Sequence, residues 1–433
     1  MTPDTLVVGL AGERAGTLTR TGPGRGDRLR FDYDEGFRRQ AGATPLSVSM
    51  PLAEPTHEDR VITPWLWGLL PENVDVLRRW ARQFEVSLSS PFSLLTSPVG
   101  HDCAGAVQFA TPDLAVDVFD RPGRIDWLTD DEVAARLQDL RRDTTSWLGL
   151  DARGQFSLAG AQAKTALHHD GRRWGMPSGA VPTTHILKPA IAGLDDHDLN
   201  EHLCQEGARR AGMIVARTHV ARFAEQSALV IERYDRRVAA GRLVRVHQED
   251  LGQATGRPPG EKYQHDGGPA PKDVATLLRD VMPASVATDA VWRFLDALAW
   301  SWIIAGTDAH AKNYSLLLSG PAVRLAPLYD IASALPYQGV DELKLRLAMK
   351  LGGEYRLKAH GPSTWPKVAA ELTLDADAVV ARVHHLADIA PDCLRDAAAE
   401  PEVRALRRHL PRRLVDAVAS RAERCRRQLG VAR

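Results

Sequence analysis

Cysteine is scarce in this chain, and long apolar runs are absent. Only four cysteines occur among 433 residues, and none of them forms a CxxC pair. Such spacing indicates buried thiols in a reducing compartment rather than a disulfide framework or a zinc site. The chain does not open on a basic segment followed by an apolar stretch, and no run approaches about 18 apolar residues. We therefore expect a cytoplasmic protein that makes no membrane contact.

Net charge is also absent, because 55 basic residues balance 55 acidic ones. The overall charge therefore argues neither for nor against a nucleic-acid partner. Lysine is rare: only nine of the basic residues are lysines. Each lysine at a motif position is informative for that reason, since arginine does not replace a compact ammonium group in every chemical role. Four of the nine, Lys164, Lys188, Lys262 and Lys312, lie in the segments described below.

The order of strand-like and helical segments predicts an α+β fold. The length allows two or three domains, because a single hydrophobic core stops growing at roughly 250–300 residues. Short strands and turns suggest a small N-terminal α+β domain over residues 1–140. We predict that it precedes a bilobal, protein-kinase-like core, with a small lobe at 141–236 and a mainly helical large lobe at 237–433. Apolar residues at helical spacing over 287–305, 366–388 and 403–428 support the helical large lobe.

The most informative motif is an aspartate followed five residues later by an asparagine. Asp308 and Asn313 have this spacing, and Asp330 follows 17 residues after Asn313. Protein kinases carry such an Asp-x4-Asn pair on the catalytic loop and a later aspartate for magnesium. A predicted hairpin of residues 314–318 and 323–325 would return Asp330 to the same place. Two other interpretations stay open: Asp308 and Asn313 as turn caps, or Asp308 and His310 as metal ligands of a hydrolase.

A second motif is a turn of small residues between two predicted strands, at 157–164. Ser157, Ala159, Gly160 and Ala161 would let main-chain N–H groups approach phosphate oxygens. The GxxxxGK[ST] pattern is absent, so this is no Walker A loop. An ordinary turn is the alternative.

Two further features fit nucleotide binding. Lys188 ends a predicted strand and Glu201 opens a helix, which is the kinase arrangement for holding the α- and β-phosphates. Glu232 and Tyr234 follow the last strand of the predicted small lobe, where a connecting segment offers main-chain groups to adenine. Lys188 as a solvated strand end and Tyr234 as a packing residue are the alternatives.

The motifs above occur within segments that resemble the HipA-like serine/threonine kinase toxins. These segments are 157–164 (SLAGAQAK), 185–189 (HILKP), 200–201 (NE), 231–236 (IERYDR), 247–250 (HQED), 262–263 (KY), 308–315 (DAHAKNYS) and 327–330 (PLYD). The N-terminal segments 69–72 (LLPE) and 105–107 (GAV) are similar to the same family. One departure is visible: Ala305-Gly306 stand where many members have Gly-Asn. The turn that these members form before the aspartate therefore does not follow from the sequence here.

The resemblance implies a role for each motif residue. Asp308 would be the catalytic base, and Asn313 and Asp330 would bind Mg²⁺. Lys188 and Lys312 would contact ATP, with Glu201 and His310 in support. Ser157 would be an autophosphorylation site.

The resemblance also implies a toxin–antitoxin setting. The partners would be a HipB-like helix-turn-helix antitoxin, operator DNA bound through it, and a protein substrate such as glutamyl-tRNA synthetase. Two alternatives remain: a small-molecule kinase of the aminoglycoside or choline type, and a catalytically idle corepressor.

Overall fold

The structure, a computed structural model, describes residues 4–22, 28–120, 122–149, 154–191, 193–239 and 241–430. It divides into two compact units. The first unit comprises Met1–Pro189, Ala221–Pro259 and Leu316–Val323, and the second comprises Ala190–Val220, Gly260–Ser315 and Arg324–Arg433. Mixed helix and sheet confirm the predicted α+β class. The three predicted domain bounds stay a prediction.

The elements follow one another along the chain in this order: β1 (Thr5–Leu10), β2 (Glu13–Thr21), β3 (Arg28–Tyr33), α1 (Glu35–Arg38), β4 (Thr56–Glu58), α2 (Asp59–Gly68), α3 (Val74–Gln83), α4 (Pro91–Leu95), β5 (Val107–Ala110), α5 (Ala115–Phe119), β6 (Ile125–Leu128), α6 (Asp130–Arg142), β7 (Thr165–His169), β8 (Trp174–Pro177), β9 (His185–Pro189), α7 (His197–Arg210), β10 (Thr218–Phe223), β11 (Gln226–Glu232), β12 (Arg236–Ala239), β13 (Arg242–Arg245), β14 (His247–Asp250), α8 (Leu251–Ala254), α9 (Pro271–Val281), α10 (Ala284–Ile304), β15 (Ser315–Ser319), β16 (Ala322–Leu325), β17 (Arg346–Leu351), β18 (Glu354–Arg356), α11 (Thr364–Leu372), α12 (Ala376–Ala398), α13 (Pro401–Ala405) and α14 (Leu410–Gln428).

Two larger sheets lie wholly or mostly in the first unit. One has the strand order β4-β3-β2-β1-β5, and the other has the order β10-β11-β9-β7-β8-β6. Alternation decides which side chains face the core: in β3, Leu29, Phe31 and Tyr33 are buried while Arg28 and Arg30 are exposed. Helix α2 packs against β3, and both elements contribute residues to one buried apolar core.

The first unit also contains a buried cluster of charged side chains, which we call the arginine network: Asp102, Arg233, Asp235, Arg236 and Arg245. Asp102 accepts hydrogen bonds from Arg236 (2.9 Å) and Arg245 (3.2 Å). Asp235 is bound by two nitrogens of Arg233, at 3.0 and 2.8 Å. Burial alone raises the pKa of Asp102, but Arg236, Arg245 and Arg233 outweigh it and hold that pKa below its usual range.

Main-chain and threonine donors complete the arginine network. Thr183 donates to Asp102 through its N–H (3.0 Å) and its hydroxyl (2.6 Å), and Gly105 N–H donates to Asp235 (2.7 Å). The network therefore joins three separate stretches of chain, near residues 102–105, 183 and 233–245. Each buried charge lies beside an opposite charge; the carboxylates accept from donors, and the arginines donate to oxygens such as Thr183 Oγ1, Gly105 O and Ala180 O.

The second unit is mainly helical. Helix α10 is buried along the whole of its C-terminal half, from Phe294 to Ile304, and α12 packs against α7, α10, α11 and α14. Strands β17 and β18 form a short antiparallel pair. Among the described residues, no helix combines the length and the apolarity that crossing a bilayer requires.

We predict that Asp102→Ala destabilises the first unit strongly. The substitution leaves Arg233, Arg236 and Arg245 buried with only Asp235 to balance them, which costs about 3–5 kcal/mol. Urea unfolding would measure the change. The matched control is Asp126→Ala, whose partner Arg124 lies at 2.9 Å in an exposed pair; its effect should stay below about 1 kcal/mol. Equal shifts for the two variants would contradict the role of the network.

Candidate active site

The segment that leads to the Asp-x4-Asn motif begins where α10 ends. Ala305 follows the helix with φ of 53° and ψ of 47°, a left-handed conformation, and Gly306 N–H then bonds to Ser301 O at 2.7 Å. Glycine adopts this conformation most easily. The departure from the family pattern at Ala305-Gly306 therefore leaves the turn in place, with alanine held in the conformation that glycine favours.

Asp308 and Asn313 lie on one tight turn. His310 N–H bonds to Asp308 O (2.8 Å), Asn313 N–H bonds to His310 O (3.0 Å), and Asn313 Nδ2 donates back to Asp308 O (2.8 Å). The Asp308 side chain is 69% exposed, whereas Asn313 is only 7% exposed. His310 is buried beside them, with Nε2 3.9 Å from Asp308 Oδ1. The structure thus brings Asp308, His310 and Asn313 together, with Lys312 buried between them.

Tyr329 ties Asp330 to this turn. Its hydroxyl donates to Lys312 O at 2.8 Å and accepts from Ser315 Oγ at 2.6 Å. Asp330 itself has φ of 58°. Such a conformation is uncommon for residues other than glycine and is found disproportionately at functional sites. The predicted hairpin before Asp330 is present, since β15 and β16 are neighbours in one sheet. The role of Asp330 as a metal ligand stays a prediction.

Asn200, on α7, anchors the segment that follows Asp330. Its Nδ2 donates to Ser333 O (2.8 Å), and its Oδ1 accepts Ser333 N–H (3.1 Å). Ser333 in turn donates its hydroxyl to Ile304 O at 2.6 Å. This contact was not predicted, although Asn200 belongs to one of the family segments. The signal available in the sequence was Asn200 itself, a polar residue in the 200–201 segment to which no role had been assigned.

The proposed phosphate loop lies in the first unit and is held by the N-terminal segment LLPE. Ser157 is 0% exposed; its hydroxyl donates to Leu69 O (2.8 Å), and its N–H bonds to Asp102 O (3.0 Å). Glu72 N–H bonds to Gly160 O at 3.1 Å. Gly160 has φ of 101°, so this position favours glycine.

Lys164 contributes further contacts to the loop. Its ammonium donates to Ala159 O at 2.6 Å and lies 4.7 Å from the ring centroid of Trp147. A Cβ added to Gly160 would sit 2.7 Å from that ammonium nitrogen. Ala161 is exposed and Ala159 is half-buried, so the tip of the loop is accessible while its base is fixed.

Lys188 and Glu201 are both buried. Lys188 lies on β9, opposite Leu229 of β11, in the first unit. Glu201 lies on α7 in the second unit. Each occupies the kind of element that was predicted for it, and their pairing stays a prediction.

The 231–236 and 247–250 segments have structural contacts. Glu232 is exposed at the end of β11, and the Tyr234 hydroxyl donates to Gln248. His247 Nε2 bonds to Leu46 O at 2.8 Å. Glu249 accepts from Ser47 Oγ (2.6 Å) and Val48 N–H (2.8 Å), and burial raises its pKa to about 7. These residues fasten the stretch around Leu46 to β14.

Two family models match the chain. The HipA N-terminal domain matches residues 6–110, and the HipA-like C-terminal domain matches residues 156–394. A putative kinase, Y4mE of Sinorhizobium fredii, is 34% identical over 83% of this chain and 84% of the relative. The serine/threonine-protein kinase toxin HipA of Shewanella oneidensis is 30% identical over 73% of this chain and 72% of the relative.

The fold is similar to that of a solved complex. The Shewanella oneidensis toxin–antitoxin complex of HipA, HipB and operator DNA contains a chain that matches with a TM-score of 0.79 and 23% identity, over 97% of both chains. One relative is named a serine/threonine-protein kinase toxin and the other a putative kinase, and these two relatives support the kinase class for this chain. The chain belongs to the HipA-like family.

We predict that Ala305→Gly costs less stability than a matched substitution in α10. Ala305 and Ala299 are both 0% exposed, so each change removes one buried methyl group. Only Ala305 is left-handed, a conformation that costs an L-residue about 1–2 kcal/mol. Ala299→Gly should therefore lower the free energy of unfolding by roughly that much more than Ala305→Gly. Equal losses in urea unfolding would show that the turn carries no strain.

Proposed function

We propose that this chain is an ATP- and Mg²⁺-dependent kinase that phosphorylates serine or threonine of a protein. The carrying observation is the turn that holds Asp308 against Asn313 while Tyr329 fixes Asp330 to the same main chain. Phosphoryl transfer needs little covalent chemistry from the protein, so positioning and charge supply most of the catalysis. A turn braced by side chain-to-main chain hydrogen bonds is suited to that task.

Each residue would contribute a defined part. Asp308 is exposed and accepts the proton of the attacking hydroxyl, as the corresponding aspartate does in protein kinases. Lys188 and the accessible tip of the 157–164 loop contact the phosphates. Lys312 contributes a further positive charge beside the catalytic turn, and Tyr234 and the main chain near Glu232 contact the adenine.

The residues fit a magnesium ion. Asn313 donates through Nδ2, and its Oδ1 accepts no hydrogen bond within the described part of the chain, which leaves that oxygen available. Asp330 supplies a carboxylate on an exposed residue. Oxygens of this kind, with phosphate oxygens and water, are what Mg²⁺ prefers. When bound, Mg²⁺ would neutralise the negative charge of the phosphates. The described residues contain no cluster of three or more His, Cys, Asp or Glu side chains, so the hydrolase reading gains no support.

The partners are proposed from the solved relative. Its complex contains HipB and operator DNA, and the match extends over 97% of this chain. We propose a HipB-like antitoxin as partner, with operator DNA bound through it, and the role of toxin in that pair. Glutamyl-tRNA synthetase is the first acceptor protein to test.

Asp308→Ala and Asp330→Ala should each reduce phosphoryl transfer at least about a hundredfold, because each removes a group at the reacting phosphate. Asp330→Ala should also raise the Mg²⁺ and ATP requirement, whereas Asp308→Ala should mainly lower the rate. Label transfer from γ-labelled ATP into lysate proteins and purified glutamyl-tRNA synthetase measures both effects, and mass spectrometry identifies the acceptor.

The control is Asp377→Ala, an exposed aspartate in the first turn of α12, which should keep the wild-type rate. Near-normal transfer by folded Asp308→Ala or Asp330→Ala would exclude this mechanism. Transfer to a small hydroxyl compound in place of protein would favour the small-molecule kinase.

We also propose that Ser157 is autophosphorylated and that this switches the kinase off. The Ser157 hydroxyl is buried and bonded to Leu69 O, so phosphorylation requires the loop base to leave the LLPE segment. A phosphate adds about −1.5 to −2 charges and cannot return to a site without solvent. The modified loop would therefore stay displaced, and its contribution to ATP binding would be lost.

After incubation with ATP, we expect phosphate on Ser157, a weaker affinity for ATP in the modified fraction, and faster protease cleavage within 157–164. Ser157→Ala should bind ATP normally and should not lose affinity during incubation. Asp308→Ala should leave Ser157 unmodified. An unmodified Ser157 in the active enzyme, or modified protein that binds ATP as tightly as before, would rule out the switch.

A further inference from the structure

A tyrosine to which the mechanism above gives no role is bonded to the predicted catalytic base. The Tyr263 hydroxyl donates to Asp308 Oδ1 at 2.5 Å. A hydrogen bond from a hydroxyl to a carboxylate at this distance belongs to the short, charge-assisted class. The two residues are 45 positions apart in the chain, and both belong to the second unit.

The main chain around Tyr263 is fixed on both sides. Lys262 O accepts Ala311 N–H at 3.1 Å, which ties this segment directly to the catalytic turn. Tyr263 O accepts the N–H groups of Asp266 (3.0 Å) and Gly268 (2.9 Å), which closes a compact turn. A Cβ on Gly268 would lie 2.6 Å from Glu261 O, so this turn is built around a glycine. The hydroxyl of Tyr263 is therefore aimed from a rigid base.

The ring of Tyr263 also packs against neighbouring rings. The His310 ring meets it edge-on, with centroids 5.0 Å apart and planes at 87°. His265 stacks on it at 5.4 Å. Gln264, the next residue, accepts Lys350 N–H of β17 at 2.7 Å. These contacts leave the hydroxyl little freedom to move away from Asp308.

We propose that Tyr263 is a positioning residue for the catalytic base. Its hydroxyl occupies Asp308 Oδ1 and orients the carboxylate so that Oδ2 faces the acceptor hydroxyl. The Asp308 side chain is 69% exposed, and an exposed carboxylate without such a partner exchanges between rotamers. Since transfer depends on near-attack geometry, this orientation acts on the rate of transfer and not on ATP affinity. The inference rests on the proposed function, because it takes Asp308 as the base.

The decisive comparison is Tyr263→Phe, which removes the hydroxyl and keeps the ring packed against His310. We expect kcat for label transfer from γ-labelled ATP into lysate protein to fall between roughly tenfold and a hundredfold. The KM for ATP and the thermal midpoint should not change. Tyr263→Ala should lose kcat to the same extent as Tyr263→Phe, because the hydroxyl is the group that orients Asp308.

Tyr355→Phe is the matched control, since Tyr355 lies next in the same row of rings, 6.2 Å from His265, and should keep the wild-type kcat. A wild-type kcat in Tyr263→Phe would reduce Tyr263 to a packing role and overturn the inference, whether or not Tyr263→Ala folds. A faster Tyr263→Phe would also overturn it, by showing that the hydroxyl obstructs the acceptor. Asp308→Ala, assayed in parallel, separates the two failures: full activity there would refute the proposed function itself.

Discussion

Asp102 is the carboxylate around which the first unit is assembled. It is buried, and it balances Arg236, Arg245 and Arg233 while its own carbonyl oxygen accepts the N–H of Ser157. An ion network of this kind contributes little net stability compared with apolar packing, but removing one member is costly. Its consequence here is specificity of arrangement: the stretch near residues 102–105, Thr183 just before β9, and residues 233–245 are fixed through one small set of charges. The main-chain carbonyl of Asp102 also holds Ser157.

In the second unit, neutral hydrogen bonds fix the separate stretches of chain in place. Asn313, Tyr329, Ser333 and Asn200 each use a side chain to satisfy main-chain groups of an irregular segment. Irregular backbone that is buried must find such partners, because it lacks a ladder or a helix to satisfy its N–H and C=O groups. The side chains that brace the turn also hold the main chain beside Asp308 and Asp330, so in the proposed mechanism the same residues would serve stability and function.

Local patterns in the sequence predicted the mixed order of strands and helices and the hairpin before Asp330, since both depend on neighbours a few residues apart. The helical stretch predicted over 366–388 is in fact α11 and α12, separated at left-handed Thr373 with Asp375 capping the second helix. Apolar spacing continues across that break and could not reveal it. The arginine network, Tyr263 and Asn200 depend on contacts between distant residues, which leave no periodic signal. Asp102 itself lies in a segment that showed no catalytic pattern.

The burial of Ser157 sets the order of events for the proposed switch. In the structure, the serine is held by Leu69 and by the main chain of Asp102, and Gly160 is held by Glu72. The loop tip at Ala161 lies outside these contacts, so in the proposed mechanism it would meet phosphates while the base stays attached. Phosphorylation needs the opposite arrangement, with the base detached and the hydroxyl exposed. In the proposed mechanism, phosphoryl transfer to other proteins would need no opening of this loop, whereas self-modification would require local opening, whose free energy is set by these few hydrogen bonds and the packing beneath them. Such a kinase would modify itself more slowly than its targets, because the opening equilibrium limits self-modification and does not limit transfer to other proteins.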